Sequence, residues 1–117
     1  EEDLMELLKD PARPVFVAAE GDFVQGYCFC VHKAFGGGAC TDRKELYIDD
    51  LCVEESCRGQ GIATALYRHA CGYAKEQGCG FVTLNVWCGN DSAMAFYQSR
   101  GMKPRKIYME TSLEETC

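Results

Sequence analysis

The apolar positions of this chain change period several times, and each change marks an element. RPVFVAAE at 13–20 is a short apolar run bearing Val15, Phe16 and Val17, and FVQGYCFCVHKAF at 23–35 follows after only Gly21 and Asp22. Two such runs around a glycine–aspartate pair predict a β-hairpin. GGGACTDRK then reads as a loop, and ELYIDDLCVEE at 45–55 alternates as a third strand. From residue 59 the period lengthens. Ile62, Leu66, Ala70 and Tyr73 recur at spacings of three and four and predict an amphipathic helix over 59–77, stopped near Gly78.

GFVTLNVW at 80–87 is nearly continuous in apolar character, which predicts a strand covered on both faces. NDSAMAFYQSRG predicts a short helix with Asn90 as its N-cap and Gly101 as its stop. KPRKIYMETSL closes the pattern as a last strand. At the front, Leu4, Leu7 and Leu8 of EEDLMELLKD have helical spacing and Pro11 follows, which predicts the tail of a helix. The order is (α)ββ–β–α–β–α–β, an α/β (α+β) fold with helices packed on one mixed sheet. At 117 residues the chain suffices for one domain with one core.

Charge narrows the partners. The formal net charge is −6, and no basic stripe is present to neutralise phosphates, so nucleic acid is not an expected partner. No apolar run approaches the ~20 residues that span a bilayer, and a membrane partner is not expected either. An acidic surface suits a cationic acceptor such as an amine, although it also serves solubility.

Nine cysteines, at 28, 30, 40, 52, 57, 71, 79, 88 and 117, would suit a secreted disulfide scaffold only if the chain lacked a core. With 47% apolar residues it has one. There is no Cys-x-x-Cys, Cys28 and Cys30 share one strand face, and His32 and His69 stand apart in the sequence. No metal site is expected. The cysteines read as small buried apolar side chains in a reducing cytoplasm, and a thiol-redox protein is disfavoured.

The main chemical signal is ESCRGQGIATALYRH at 55–69, which sets Gly59 and Gly61 beside Arg58 where a helix must begin. The first amides of a helix lack intrahelical partners and sit at the positive end of its dipole. Glycines there let an anion such as a diphosphate rest on bare backbone, and Arg58 adds charge. The other reading of the glycines is close helix–sheet packing. Ile62 and Ala63 exclude the Lys-Ser/Thr of a Walker loop, and Ala63-Thr64 breaks the dinucleotide fingerprint.

RGQGIA after a strand resembles the Arg/Gln-x-x-Gly-x-Gly/Ala signature of the GNAT superfamily of acyl-CoA-dependent N-acyltransferases. NDSAMAFYQSRGM resembles the same family's Asn-x-x-Ala-x-x-Phe-Tyr-x-x-x-Gly-Phe segment, with Met102 in place of Phe. The resemblance covers roughly residues 14–113. It implies a mostly antiparallel twisted sheet whose two central parallel strands, here 45–54 and 80–87, splay in a V to admit the pantetheine of acetyl-CoA. The backbone of Leu51, Cys52 and Val53 would then pair with the pantetheine and acetyl carbonyl. Arg58, Gly59, Gln60, Gly61, Ile62 and Ala63 would hold the pyrophosphate, and Asn90 would contact the pantetheine arm.

By the same resemblance Tyr97 is the general acid, and Asp49, ahead of Asp50, is the base or the ammonium anchor. Strand alternation places those two aspartates on opposite faces. Where N-terminal acetyltransferases of ribosomal proteins carry a glutamate, this chain has Asn85. Glu54 and Glu55 read as loop carboxylates. The resemblance implies an N-acetyltransferase acting on a primary amine, with a non-catalytic acyl-CoA-binding module as the alternative. It also implies that the family's first strand and helix are missing, which would leave strand 13–20 as an open edge and favour a homodimer through it.

Overall fold

The structure, a computed structural model, describes residues 3–6, 12–37 and 40–114. The first unit, 1–85, contains a five-stranded sheet in sequence order: β1 (Asp3–Glu6), β2 (Val15–Glu20), β3 (Phe23–Gly37), β4 (Cys40–Val53) and β5 (Phe81–Leu84). Neighbours are antiparallel except β4 and β5, which run parallel and are joined through α1 (Ile62–Glu76). The expected hairpin is present. Glu20 faces Phe23 across Gly21 and Asp22, and Gly21 takes φ 59° at the first turn position, where primed turns demand glycine.

Three expectations are corrected. The chain front is not helical where it is described, because Asp3–Glu6 is strand β1, running from Asp3 opposite Ala19 to Glu6 opposite Phe16. Residues 7–10 of the expected helix lie outside the described residues. A single turn of helix is weak, whereas the edge of β2 offers a ladder of backbone partners. β2 is therefore paired on both sides and is not the open edge expected of it. Second, GGGACTDRK is mostly not a loop: β3 and β4 continue as a long hairpin out to Gly37 opposite Cys40. Third, β5 is half-buried rather than covered on both faces, with Phe81 exposed.

The core lies between the sheet and α1. Ile62, Leu66, Tyr67, Ala70 and Ala74 are the helix's buried residues, and Phe16, Cys28, Cys30, Leu46 and Ile48 are buried on the sheet. Phe16 meets His69 and Tyr73 edge-on, at 4.7 and 5.2 Å between ring centroids. Gly26 leaves no room for a side chain under α1. A Cβ there would lie 2.8 Å from the Cys52 carbonyl oxygen and 3.2 Å from Leu66 Cδ1. The helix ends in a Schellman closure: the Cys79 amide donates to Ala74 O at 2.9 Å and that of Gly78 to Lys75 O at 3.2 Å, with Gly78 at φ 81°.

The second unit, 86–117, is built around α2 (Asp91–Ser99). Asn90 caps it as expected, its Oδ1 accepting from the Ala93 amide at 3.2 Å. At the other end Met102 N donates to Tyr97 O and Gly101 N to Gln98 O, with Gly101 at φ 100°. The expected last strand does not form. Among the described residues no ladder involves 103–113, and Ile107, Tyr108 and Met109 are exposed. Alternation and propensity offer a strand, but only a paired neighbour makes one.

Candidate active site

The chemistry expected of this chain needs a gap between β4 and β5, and the register supplies one. β5 pairs with β4 only from Phe81 opposite Glu45 to Leu84 opposite Ile48. On its other side β4 stays paired with β3 as far as Val53 opposite Gly26. From Asp49 to Val53, then, no described strand pairs the β5-facing side of β4. Backbone groups there can take an extended ligand as an added strand would. Leu51, Cys52 and Val53 are half-buried along this stretch.

A β-bulge sits at the point of departure. Phe29 faces Asp50 and Cys30 faces Ile48, so Asp49 is the extra residue. Bulges bend and twist a strand. This one also shifts its alternation, which corrects the expected placement of the two aspartates. Asp49 follows Glu45 and Tyr47 on the face away from α1. Asp50, opposite Phe29, shares that same face with Tyr27 and Phe29. Both carboxylates are exposed.

Tyr27 Oη donates to Asp50 Oδ2 at 3.2 Å, and its ring stacks on Phe29 at 4.7 Å. A hydrogen bond with Cys52, and then the Asp50 charge, push the Tyr27 phenol up from 10.0 to about 12. It stays protonated and keeps Asp50 engaged.

Beyond Val53 the chain makes a 3-10 turn over Glu55–Cys57 and enters the glycine turn. Gly59 and Gly61 have φ 83° and 81°, a region costly for any residue with a Cβ. A Cβ at either would meet nothing within 4 Å. The packing explanation of these glycines therefore gives way to backbone freedom beside open space, and the glycine needed for close packing is Gly26. Gly61 caps α1 without a side-chain bond, and Ala65 N donates to Gly61 O at 3.0 Å in the first turn. The amides of Ile62 and Ala63 precede that bond at the positive end of the helix. Ile62's side chain is core, Ala63 is half-buried, and Arg58, Gly59, Gln60 and Gly61 are exposed. Arg58 Nε donates to Val53 O at 3.3 Å, which ties the turn to the end of β4.

The remaining expected residues belong to the second unit. Asn90 spends its amide oxygen on the helix cap and on the Ser92 hydroxyl, which donates to it at 3.3 Å. Tyr97 is half-buried on α2, its ring edge-on to Phe96 at 5.1 Å. Among the described residues no group of three or more His, Cys, Asp or Glu could hold a metal ion, and no helix is long and apolar enough to cross a membrane.

Residues 1–102 match the family described as "Acetyltransferase (GNAT) family". The chain belongs to the GNAT family. It is 33% identical over 87 residues to streptothricin acetyltransferase of Streptomyces lavendulae, covering 74% of this chain and 42% of that one. It is 31% identical over 94 residues to N-alpha-acetyltransferase 30 of Schizosaccharomyces pombe, covering 80% and 60%. Among solved structures, a mutant of the BH1408 protein from Bacillus halodurans matches with TM-score 0.82 and 32% identity, over 90% of this chain and 68% of that one. The chain thus spans less than two thirds of the length of the two curated relatives.

Several neighbours of the candidate site escaped the sequence reading. Tyr27 and Phe29 flank Asp50, and alternation in GYCFCV could have found them, because it sets them opposite the face of Cys28 and Cys30. Asn85 Nδ2 donates to Tyr47 Oη at 3.0 Å, and Lys33 Nζ lies 4.2 Å from the centroid of the same ring. Glu45, nearly fully buried, accepts from Thr83 Oγ1 and Arg43 Nε, each at 2.8 Å. The pairs across β4 and β5 join residues far apart in sequence, and only the register of those strands brings them together.

Proposed function

We propose that this protein is an acetyl-CoA-dependent N-acetyltransferase acting on a primary amine of a small molecule or protein. The observation that carries the reading is the course of β4: it leaves β5 after Ile48 and runs into a glycine turn that opens a helix. The donor is assigned along that course. Its diphosphate rests on the amides of residues 59–63 beside Arg58, and its pantetheine pairs with the backbone at Leu51, Cys52 and Val53. The open space before Gly59 and Gly61 fits such a group.

The thioester supplies an activated acetyl group. The chain must take a proton from the acceptor ammonium and give one to the departing thiolate. Asp49 is assigned the first task, directly or through water. Asp50, already held by Tyr27, anchors the ammonium. Tyr97 is assigned the second task. The name of the Schizosaccharomyces relative supports an amine acceptor, and the seven free cysteines among the described residues suit a reducing compartment such as the cytoplasm.

Release of free CoA across a panel of amines tests the reading. Turnover should appear in the wild type and fall by about a hundredfold in Tyr97→Phe, a usual scale for losing an acid–base group. Unchanged turnover in that variant would remove Tyr97 from its role. The exposure of both aspartates, and the engagement of one by Tyr27, favour a second reading as a non-catalytic acyl-CoA-binding module. Acetyl-CoA raises the melting temperature under both readings, and only the enzyme consumes it.

A further inference from the structure

Where α1 hands over to β5, at the other end of α1 from the glycine turn, lies an open cavity of about 360 Å³ lined by Cys71, Lys75, Cys79, Gly80 and Phe81 among others. His32 is not isolated in the fold, as it was in the sequence. Its Nε2 lies 3.0 Å from Tyr73 Oη and its Nδ1 lies 3.9 Å from Cys79 Sγ. In the tautomer whose Nε2–H donates to the phenol oxygen, the Nδ1 lone pair faces the thiol. A thiol beside a base that a third group orients is the arrangement of an activated sulfur nucleophile. Cys79 is half-buried and lines the cavity, so the sulfur is reachable.

We propose that Cys79 is a thiol-modification site, activated by His32, for low-molecular-weight disulfides that carry carboxylates. The Cys79 S–H proton passes to His32 Nδ1. The thiolate attacks one sulfur of the incoming disulfide, whose S–S bond breaks as the Cys79 mixed disulfide forms. The departing thiolate takes the proton back from His32. Lys75 at the cavity wall attracts the carboxylates, and Phe81 offers an apolar floor. Lys44 of β4 adds positive charge nearby, its Nζ donating to Gln77 O at 3.0 Å. Cys71 shares the cavity, but burial pushes its thiol up and disfavours its thiolate.

The test incubates the whole chain with oxidised glutathione at neutral pH, quenches with acid and maps adducts by peptide mass spectrometry. Cys79 should be modified ahead of Cys88, which is exposed and serves as the internal reference. His32→Gln should slow Cys79 by about tenfold, a modest share of what a positioned base supplies, while Cys88 keeps its rate. Tyr73→Phe, which removes the tautomer's partner, should slow Cys79 in the same sense and stands in if the His32 variant does not fold. Cys88 or Cys71 reacting first, or a Cys79 rate indifferent to both substitutions, would overturn the proposal.

Discussion

Tyr27 shows how far a single residue could be read. Its place beside Asp50 was latent in alternation, but its protonation depends on Cys52 and Asp50, which only the β3–β4 register brings to it. A phenol raised from 10.0 to about 12 means that the folded state holds this proton more tightly than the unfolded chain does. Its contribution to stability is complete below pH 10 and is lost as pH rises through 12. The stability difference between wild type and Tyr27→Phe, followed by denaturant unfolding, should be constant below pH 10 and narrow above it. A difference that stays flat to pH 12 would refute the assignment. Asp49 and Asp50 teach the complementary lesson. Plain alternation separates their faces, whereas the bulge unites them, and a bulge is a relation between two strands that one strand's pattern does not encode.

Elements whose signals are local were legible: the Gly21 turn, the stripe of α1, the Asn90 cap, and the glycine stops at Gly78 and Gly101. Elements defined by a distant partner were not. Asp3–Glu6 has a helical spacing of leucines around it yet pairs with β2, and KPRKIYMETSL has strand composition yet pairs with nothing among the described strands. The glycines separate two demands that look alike in sequence. Gly26→Ala should destabilise the chain by about 1–3 kcal/mol, because its methyl group must displace backbone and two core side chains. Gly61→Ala meets no atom within 4 Å and should cost about 1–2 kcal/mol for the left-handed conformation alone. Urea unfolding measures both losses. On the proposed function, acetyl-CoA binding weakens in the Gly61 variant and survives in the Gly26 variant wherever the latter remains folded.

At the scale of the molecule, family membership and sheet order agree with the paired motifs at RGQGIA and NDSAMAFYQSRGM. The choice of acceptor is not written in those motifs, since they describe the donor's path. Arg58 is the cationic residue of that path, so Arg58→Ala should reduce the rise in melting temperature that acetyl-CoA produces while leaving the unliganded transition nearly in place. The central claim is that an acyl-CoA lies along β4 past Ile48 and ends on the turn before α1. Backbone amide NMR of the nitrogen-15-labelled chain, titrated with acetyl-CoA, tests this most directly. Saturable shifts concentrated at residues 51–53 and 59–63 are the predicted result; amides there that stay unmoved while the nucleotide binds elsewhere, or does not bind at all, would contradict it.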